Sequence, residues 1–120
     1  MDAGSTCLEI GRRLLSRPSL RIVTNSAPLL HEAHASGVSV IMLGGNLRPI
    51  SGALTGILAE RWLEELQTEW AFLGSSGLNA GSIYTTELSE AAVKSAILRH
   101  SRHRILAADS SKWDHPALVH

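Results

Sequence analysis

Short apolar runs alternate with longer amphipathic runs along the whole chain, and this alternation limits the fold more than any other feature. The short runs are mostly apolar on both faces and end in Gly, Asn, Asp or Ser, which is typical of buried parallel strands. In the longer runs, apolar residues recur roughly three or four positions apart, as along one face of a helix. The pattern predicts an α/β domain with a largely parallel sheet and right-handed crossovers. The predicted strands are residues 20–25, 38–44, 70–75 and 104–109, and the predicted helices are residues 6–16, 27–36, 56–67 and 88–101.

Length, charge and cysteine content exclude several classes of protein. With 120 residues, the chain is long enough for one domain with a single core. Lysine plus arginine is 11 and aspartate plus glutamate is 11, so no overall charge attracts nucleic acid or anionic lipid, and a charged ligand must be held locally. Cys7 is the only cysteine, which excludes an internal disulfide and favours a reducing compartment. Because the sequence has no signal-peptide pattern and no apolar run of membrane-spanning length, we expect a soluble cytoplasmic domain without membrane contact.

Both ends of the sequence suggest that the sheet has further members. If residues 2–6 connect a first strand to its helix, that strand should precede Asp2, where the sequence has only Met1. At the other end, residues 114–120 stop where a further strand could begin. We therefore expect residues 1–120 to form one domain that is truncated at both ends and whose first loop is poorly anchored.

Polar, glycine-rich loops lie where the predicted strands end. In a parallel α/β sheet, ligands bind beyond the carboxyl ends of the strands, where loops converge and helix N-termini point at one crevice. The five loops expected at this edge are DAGST (2–6), TNSAP (24–28), GGNLRP (44–49), GSSGLNAG (74–81) and ADSSKW (108–113). The sequence predicts that they gather at one rim.

The first loop allows two compatible interpretations. Gly4 permits close approach of the backbone, while Ser5, Thr6 and the free amides of the first helical turn would suit a phosphate. Alternatively, Thr6 and Glu9 fit a capping box that serves only the helix end, and this is the more common meaning of such a pattern.

The second and third loops are also ambiguous. Asn25 or Ser26 can cap a helix whose first turn tolerates Pro28, which is the simpler interpretation. Arg48 follows two adjacent glycines and offers a fork suited to phosphate or carboxylate. A tight turn with a solvated arginine explains the same residues equally well.

The two lysines have ordinary explanations when each is taken alone. Lys112 can pair with a phosphate, or merely with Asp109 and solvent. Lys94 follows Glu90 by four positions on a predicted helix, which favours an intrahelical ion pair.

Two further polar segments point to neither a metal nor nucleic acid. The HEAH segment, residues 31–34, lacks the HExxH spacing of a zinc site, so we expect no metal. The basic segment 99–104 is predicted to lie at a helix end, where cations interact favourably with the dipole. It lacks the interleaved aromatic residues of a nucleic-acid surface.

Seven short segments, in order, nevertheless resemble one family. They are DAGSTCLEIGRRL, RIVTNSAPL, VIMLGGNLRP, the pair Thr55 and Gly56, AFLGSSGLNAG, EAAVKSAIL and ILAADSSKW. Each is weak alone, but their order and spacing over nearly the whole chain resemble the C-terminal sensor domain of DeoR-type bacterial transcriptional repressors. The resemblance implies a Rossmann-like fold similar to ribose-5-phosphate isomerases and CoA-transferases, and a domain that binds a phosphorylated sugar or related metabolite.

The resemblance also implies roles for individual residues. The family's D-x-G-S-T loop, T-N-S segment, G-G-x-x-R pattern, late-helix lysine and final D-x-S-K segment all have counterparts here. The phosphoryl group would lie over the amides of residues 4–6 with Lys112 or Arg48 as countercharge, and Asn25 and Asp109 would hydrogen-bond the sugar hydroxyls. The effector-binding residues expected on this basis are Asp2, Gly4, Ser5, Thr6, Asn25, Gly45, Arg48, Lys94, Asp109 and Lys112.

The sequence departs from the family pattern in two respects. Members begin with a winged helix-turn-helix that binds operator DNA, and residues 1–120 contain none, so DNA binding is expected only through a separate N-terminal domain. Before AFLG the family often has an aspartate, where this chain has Glu69 followed by Trp70. The resemblance further implies a homo-oligomer, and Trp62, Trp70 and Trp113 are candidates for its contacts. We expect no cofactor.

A sugar-phosphate isomerase on the same fold is the alternative. Isomerisation through an enediol needs a carboxylate base and a group that stabilises the developing oxyanion. Ribose-5-phosphate isomerases have a mid-chain acidic cluster followed by a lysine and a glycine-rich loop, whereas residues 64–81 contain no lysine and no such loop. We therefore expect no catalytic residues. A third interpretation is a fragment that folds or oligomerises without binding a ligand.

Overall fold

The computed structural model describes residues 1–114, 117 and 119. The helices are α1 Ser5–Leu14, α2 Ala27–Ala33, α3 Ile57–Glu64 and α4 Leu88–Arg99. The strands are β1 Arg21–Thr24, β2 Ser39–Met42, β3 Asn46–Arg48, β4 Ala53–Thr55, β5 Thr68–Leu73, β6 Gly77–Asn79, β7 Ser82–Tyr84 and β8 Ser101–Leu106, and a short 3-10 turn covers Ser110–Lys112. The strand expected after residue 114 falls largely outside the described residues.

Two parallel strand pairs form the centre of the fold. β1 pairs with β2 and β5 pairs with β8, both in parallel, which confirms the predicted α/β class. β2 and β5 are each followed by a short antiparallel hairpin, β3–β4 and β6–β7, and then by a helix. The sequence did not reveal these hairpins, because strands of three residues are too short to show a period.

Met1 and Asp2 connect the two parallel pairs. The Met1 amino group donates to the Val23 carbonyl at 2.8 Å, and the Asp2 amide donates to the Phe72 carbonyl at 2.9 Å. An apolar groove of about 640 Å³ lies between β1 and β5, with Met1 among its lining residues. The pairs are thus bridged by backbone hydrogen bonds at one end of this groove.

Apolar residues from both halves of the chain form the core. Leu43 and Leu73 pack with Val93 and Ile97 of α4 and with Leu63 of α3. A smaller cluster of Ile22, Leu29 and Val38 joins α2 to β1 and receives residues of α1. Burial of each large side chain contributes on the order of 2 kcal/mol, so these clusters fix the helices against the strands.

The four predicted helices are present, but some of their boundaries differ. α1 begins at Ser5 with Gly4 as its N-cap and no capping side chain, so the predicted capping box of Thr6 and Glu9 is wrong. Ser26 does cap α2, because its hydroxyl accepts from the Leu29 amide at 3.3 Å.

The end of α4 also differs from the prediction. α4 stops at Arg99, and β8 begins at Ser101, so residues 101–103 are strand rather than the end of a helix, while residues 104–106 fall in the predicted strand 104–109. His103 pairs with Trp70 across the parallel ladder, and their rings stack with centroids 4.5 Å apart. This long-range pairing outweighs the local helical pattern. Within the described part of the chain, no helix is long and apolar enough to cross a membrane.

Candidate anion-binding cleft

A cleft of about 230 Å³ opens where β5 and β8 end and α1 and α4 begin, and we call it the rim cleft. Its walls are residues 2–7, the hairpin residues Arg48, Ile50 and Ser51, residues 74–76 after β5, the α4 side with Thr85, Thr86, Glu90 and Lys94, and Ala107, Ala108 and Lys112 after β8. Four of the five predicted loops therefore contribute to one rim. Ser5, Arg48 and Lys112, which are far apart in sequence, line the same cleft, as the convergence of loops predicted.

The start of α1 offers unpaired backbone donors to the rim cleft. The amides of Ser5, Thr6 and Cys7 have no acceptor one turn earlier in the helix, and the first such bond runs from Leu8 to the Gly4 carbonyl. No side chain caps this end, because the N-cap is Gly4 at φ 117°, a conformation that favours glycine. Such amides carry partial positive charge and suit an anion.

Asp2 and Lys94 form a buried ion pair at the floor of the rim cleft. Their side chains are 4% and 13% exposed, respectively. The same Asp2 oxygen accepts from the Gly74 amide at 3.1 Å, and the Lys94 ammonium donates to the Gly74 carbonyl at 3.0 Å. These bonds tie the first loop to β5 and α4, so the expected poor anchoring of that loop is wrong.

Glu90 pairs with Arg48 rather than with Lys94, so the expected intrahelical pair of Glu90 and Lys94 is wrong. The Glu90 carboxylate lies 3.2 Å from one Arg48 nitrogen, and Glu87 lies 3.8 Å from another. The Ser51 hydroxyl donates to the second Glu90 oxygen at 2.6 Å. Arg48 is therefore held between the hairpin and α4, and the interpretation of a solvated arginine in a plain turn is also wrong.

Lys112 lies half-buried on the 3-10 turn after β8 and forms no ion pair with any described residue. Asp109 caps this turn, since its carboxylate accepts from the Ser111 amide at 3.0 Å and from the Ser111 hydroxyl. These two bonds hold the pKa of Asp109 below its ordinary value, and the bond from the Ser111 hydroxyl has the larger effect. The lysine thus lines the rim cleft without an ion pair to a described residue, and the charge of Asp109 is close enough to interact with it.

Seven of the ten expected site residues line the rim cleft, and Asn25, Gly45 and Asp109 do not. Asn25 is 1% exposed and donates from its side chain to the Leu54 carbonyl at 3.1 Å. A Cβ at Gly45 would lie 2.3 Å from the Thr55 carbonyl oxygen, so glycine there allows the hairpin to close. Binding of an effector by these three residues stays a prediction, and their observed contacts are structural.

Other polar residues in the walls were not singled out by sequence. Ser75 has a buried hydroxyl without a partner, and Ser76, Thr86 and Glu90 also line the rim cleft. The loop GSSGLNAG pointed to Ser75 and Ser76 by its position after β5. Nothing in the local sequence pointed to Thr86 or to Glu90 as part of the site. In the described ranges, no group of three or more His, Cys, Asp and Glu side chains is placed to hold a metal.

The fold and the rim cleft define a class, an α/β domain with an open crevice at the carboxyl edge of its parallel strands. A family model described as "DeoR C terminal sensor domain" matches residues 1–120, and the chain belongs to this family.

Three relatives illustrate the family. A protein named "Glycerol-3-phosphate regulon repressor" from Haemophilus influenzae is 32% identical over 99% of this chain and 47% of its own length. Its namesake from Escherichia coli is 31% identical over 99% of this chain and 48% of its own length. A "Lactose phosphotransferase system repressor" from Staphylococcus aureus is 30% identical over 89% of this chain and 44% of its own length. The chain thus spans about half the length of these relatives, which are named as repressors and not as enzymes.

Proposed function

We propose that the rim cleft binds a phosphorylated sugar or a related small phosphate and that the chain is the sensing part of a cytoplasmic transcriptional regulator. The uncapped amides of Ser5 and Thr6, which line the same cleft as Lys112, a cation without an ion pair to any described residue, carry this proposal. Together they supply hydrogen-bond donors and positive charge without any group that must leave first.

The hydroxyl-rich walls suit the remainder of such a ligand. Ser75 has an unpartnered hydroxyl, and Ser76, Thr85 and Thr86 lie nearby in the wall. Hydroxyl side chains donate and accept, so they match sugar hydroxyls in either sense. The names of the relatives, which refer to glycerol 3-phosphate and to a lactose phosphotransferase system, support a ligand of this class.

In the whole protein, ligand binding would change the affinity of a separate DNA-binding domain, the helix-turn-helix expected from the family. A coupling free energy of roughly 1–3 kcal/mol between the two sites is enough for a useful switch. The exposed side chains of Trp62, Trp70 and Trp113, 58%, 54% and 53% exposed, are proposed as contacts in a homo-oligomer.

The direct test is calorimetric titration of the chain with glycerol 3-phosphate and ribose 5-phosphate, with glycerol and ribose as unphosphorylated partners. We expect Ser5→Pro to weaken the phosphorylated compounds, because proline removes one amide donor yet is tolerated at the first helical position. Gly4 has ψ 160°, which is compatible with a following proline. Ser5→Ala keeps the amide and is the matched control.

A second pair of variants tests the charge. Lys112→Ala should weaken phosphorylated ligands more than their unphosphorylated partners, and Thr6→Ala should do so to a smaller degree because its backbone amide remains. Arg104→Ala, an exposed change on β8 away from the rim cleft, is the control. Equal weakening of both kinds of ligand by Lys112→Ala would contradict a phosphate contact.

A further inference from the structure

The rim cleft contains an acidic wall as well as a basic one. Among the described residues, Arg48 is the only arginine that lines it, and two carboxylates already contact this arginine, Glu90 at 3.2 Å and Glu87 at 3.8 Å. Glu87 does not itself line the rim cleft, but together with Glu90 it leaves this cluster of one guanidinium and two carboxylates with a net charge of −1. Glu90 is 14% exposed in its side chain, so solvent screens its charge only partly.

A second cation of the rim cleft, Lys94 of α4, is also held in an ion pair. Lys94 is paired with Asp2, and both are largely buried, so this pair adds no net charge to the wall. The positive part of the rim cleft therefore consists of Lys112 and the amides at the start of α1. A ligand in the rim cleft meets one region that attracts an anion and a second region that repels it.

We propose that Glu90 is a specificity-determining residue that admits ligands with a single phosphate and rejects those with a second one. This inference rests on the proposed function. The carboxylate of Glu90 accepts hydrogen bonds, as it already does from the Ser51 hydroxyl at 2.6 Å, and it can accept one from a ligand hydroxyl in the same way. A second phosphate at this wall would have to displace Glu90 from Arg48 and remain beside its charge.

Isothermal titration of the chain with fructose 6-phosphate and fructose 1,6-bisphosphate tests the proposal. We expect the wild-type chain to prefer the monophosphate and Glu90→Gln to shift the ratio of the two affinities toward the bisphosphate by on the order of tenfold. Glu90→Asp keeps the charge and should keep the preference. Glu69→Gln removes an equal charge from the exposed side of β5 and should leave the ratio unchanged.

Glu87→Gln provides a second variant if Glu90→Gln does not fold. Because Glu87 is the more distant of the two carboxylates from Arg48, its removal should shift the ratio in the same direction by less. Suppose that the wild-type chain binds the monophosphate but that the ratio of affinities is unchanged in Glu90→Gln, or in Glu87→Gln where Glu90→Gln does not fold. This result would overturn the role of Glu90 and leave the proposed function standing. Failure of the wild-type chain to bind any phosphorylated compound, glycerol 3-phosphate included, would overturn both.

Discussion

The carboxylate of Asp2 and the ammonium group of Lys94 form a buried ion pair between residues 92 positions apart in the sequence. The pair joins the loop before α1 to the middle of α4, and both partners also bond to Gly74 at the end of β5. Three elements that surround the rim cleft therefore meet at one electrostatic contact. The position of the α1 amides depends on this contact, since Asp2 precedes them by only a few residues.

Breaking this pair from one side should destabilise the domain strongly. Lys94→Met leaves a buried carboxylate without its partner, and we expect the free energy of unfolding to fall by about 3–5 kcal/mol. Urea unfolding followed by far-UV circular dichroism measures the change. The double variant Asp2→Asn with Lys94→Met should recover part of the loss, because no buried charge remains.

The exposed pair of Glu69 and Arg102 is the control for that comparison. Its partners are 59% and 75% exposed and 3.9 Å apart. Glu69→Gln should change the free energy of unfolding by less than about 1 kcal/mol. A loss for Lys94→Met as small as that for Glu69→Gln would show that the buried pair does not hold the loop.

Two adjacent glycines should respond differently to the same substitution. Gly45 has φ 138° and would place a Cβ 2.3 Å from the Thr55 carbonyl oxygen, whereas Gly44 has no such φ and would place its Cβ in open space. We expect Gly45→Ala to lower the thermal midpoint markedly and the free energy of unfolding by more than about 1 kcal/mol. The new Cβ would be strained at this φ and would also collide with a backbone oxygen, which cannot move aside as a flexible side chain could. Gly44→Ala should be close to neutral. Similar midpoints for both variants would contradict the geometry of the β3–β4 hairpin.

The fold class could be predicted from the sequence because strands and helices of this chain have different apolar periods. β1, β2 and β5 each overlap a predicted strand, since buried parallel strands are continuous apolar runs. The boundary between α4 and β8 could not be placed, because 101–103 becomes a strand only through pairing with β5. Pairing of this kind depends on residues some 30 positions away.

In the candidate site too, features that depend on neighbouring residues could be predicted from the sequence, and features that depend on distant residues could not. The DAGST loop indicated free amides at a helix start, and these depend only on neighbouring residues. The partners of Lys94 and Arg48 lie 92 and 42 positions away, and no local pattern contains them. For Lys94 the local pattern even favoured the wrong carboxylate, since Glu90 was four positions away on the same helix.

Of the two predicted helix caps, the Ser26 cap of α2 is confirmed and the Thr6 capping box of α1 is wrong, and mutation can compare the two. Ser26 accepts from the Leu29 amide, so Ser26→Ala should lower the free energy of unfolding by about 1 kcal/mol. Thr6 lies inside the first turn of α1 and caps nothing, so Thr6→Ala should cost less than about 0.5 kcal/mol. Urea midpoints of the two variants, measured side by side, compare them directly. A larger loss for Thr6→Ala than for Ser26→Ala would mean that α1 begins elsewhere.

Cys7 should make the stability of the domain depend on pH in the alkaline range. Its side chain is 0% exposed, and burial first, then the charge of Asp2, raises the pKa of the thiol to about 11 from its usual 9.0. Well below pH 9.0 the thiol is protonated in both states, and stability is unaffected. As pH rises from 9.0 toward 11, the unfolded chain ionises while the folded chain keeps its proton, so stability is lost, by about 1.4 kcal/mol at pH 10.

The variant Cys7→Ala isolates this effect, because all other titrating groups remain. Removing the sulfur has a fixed cost, but it also removes the thiol that ionises. The difference in free energy of unfolding between the wild-type chain and Cys7→Ala should therefore shrink from pH 8 to pH 10, as measured by urea unfolding at each pH. A constant difference over this range would mean that solvent reaches the thiol in the folded domain, contrary to the burial of Cys7.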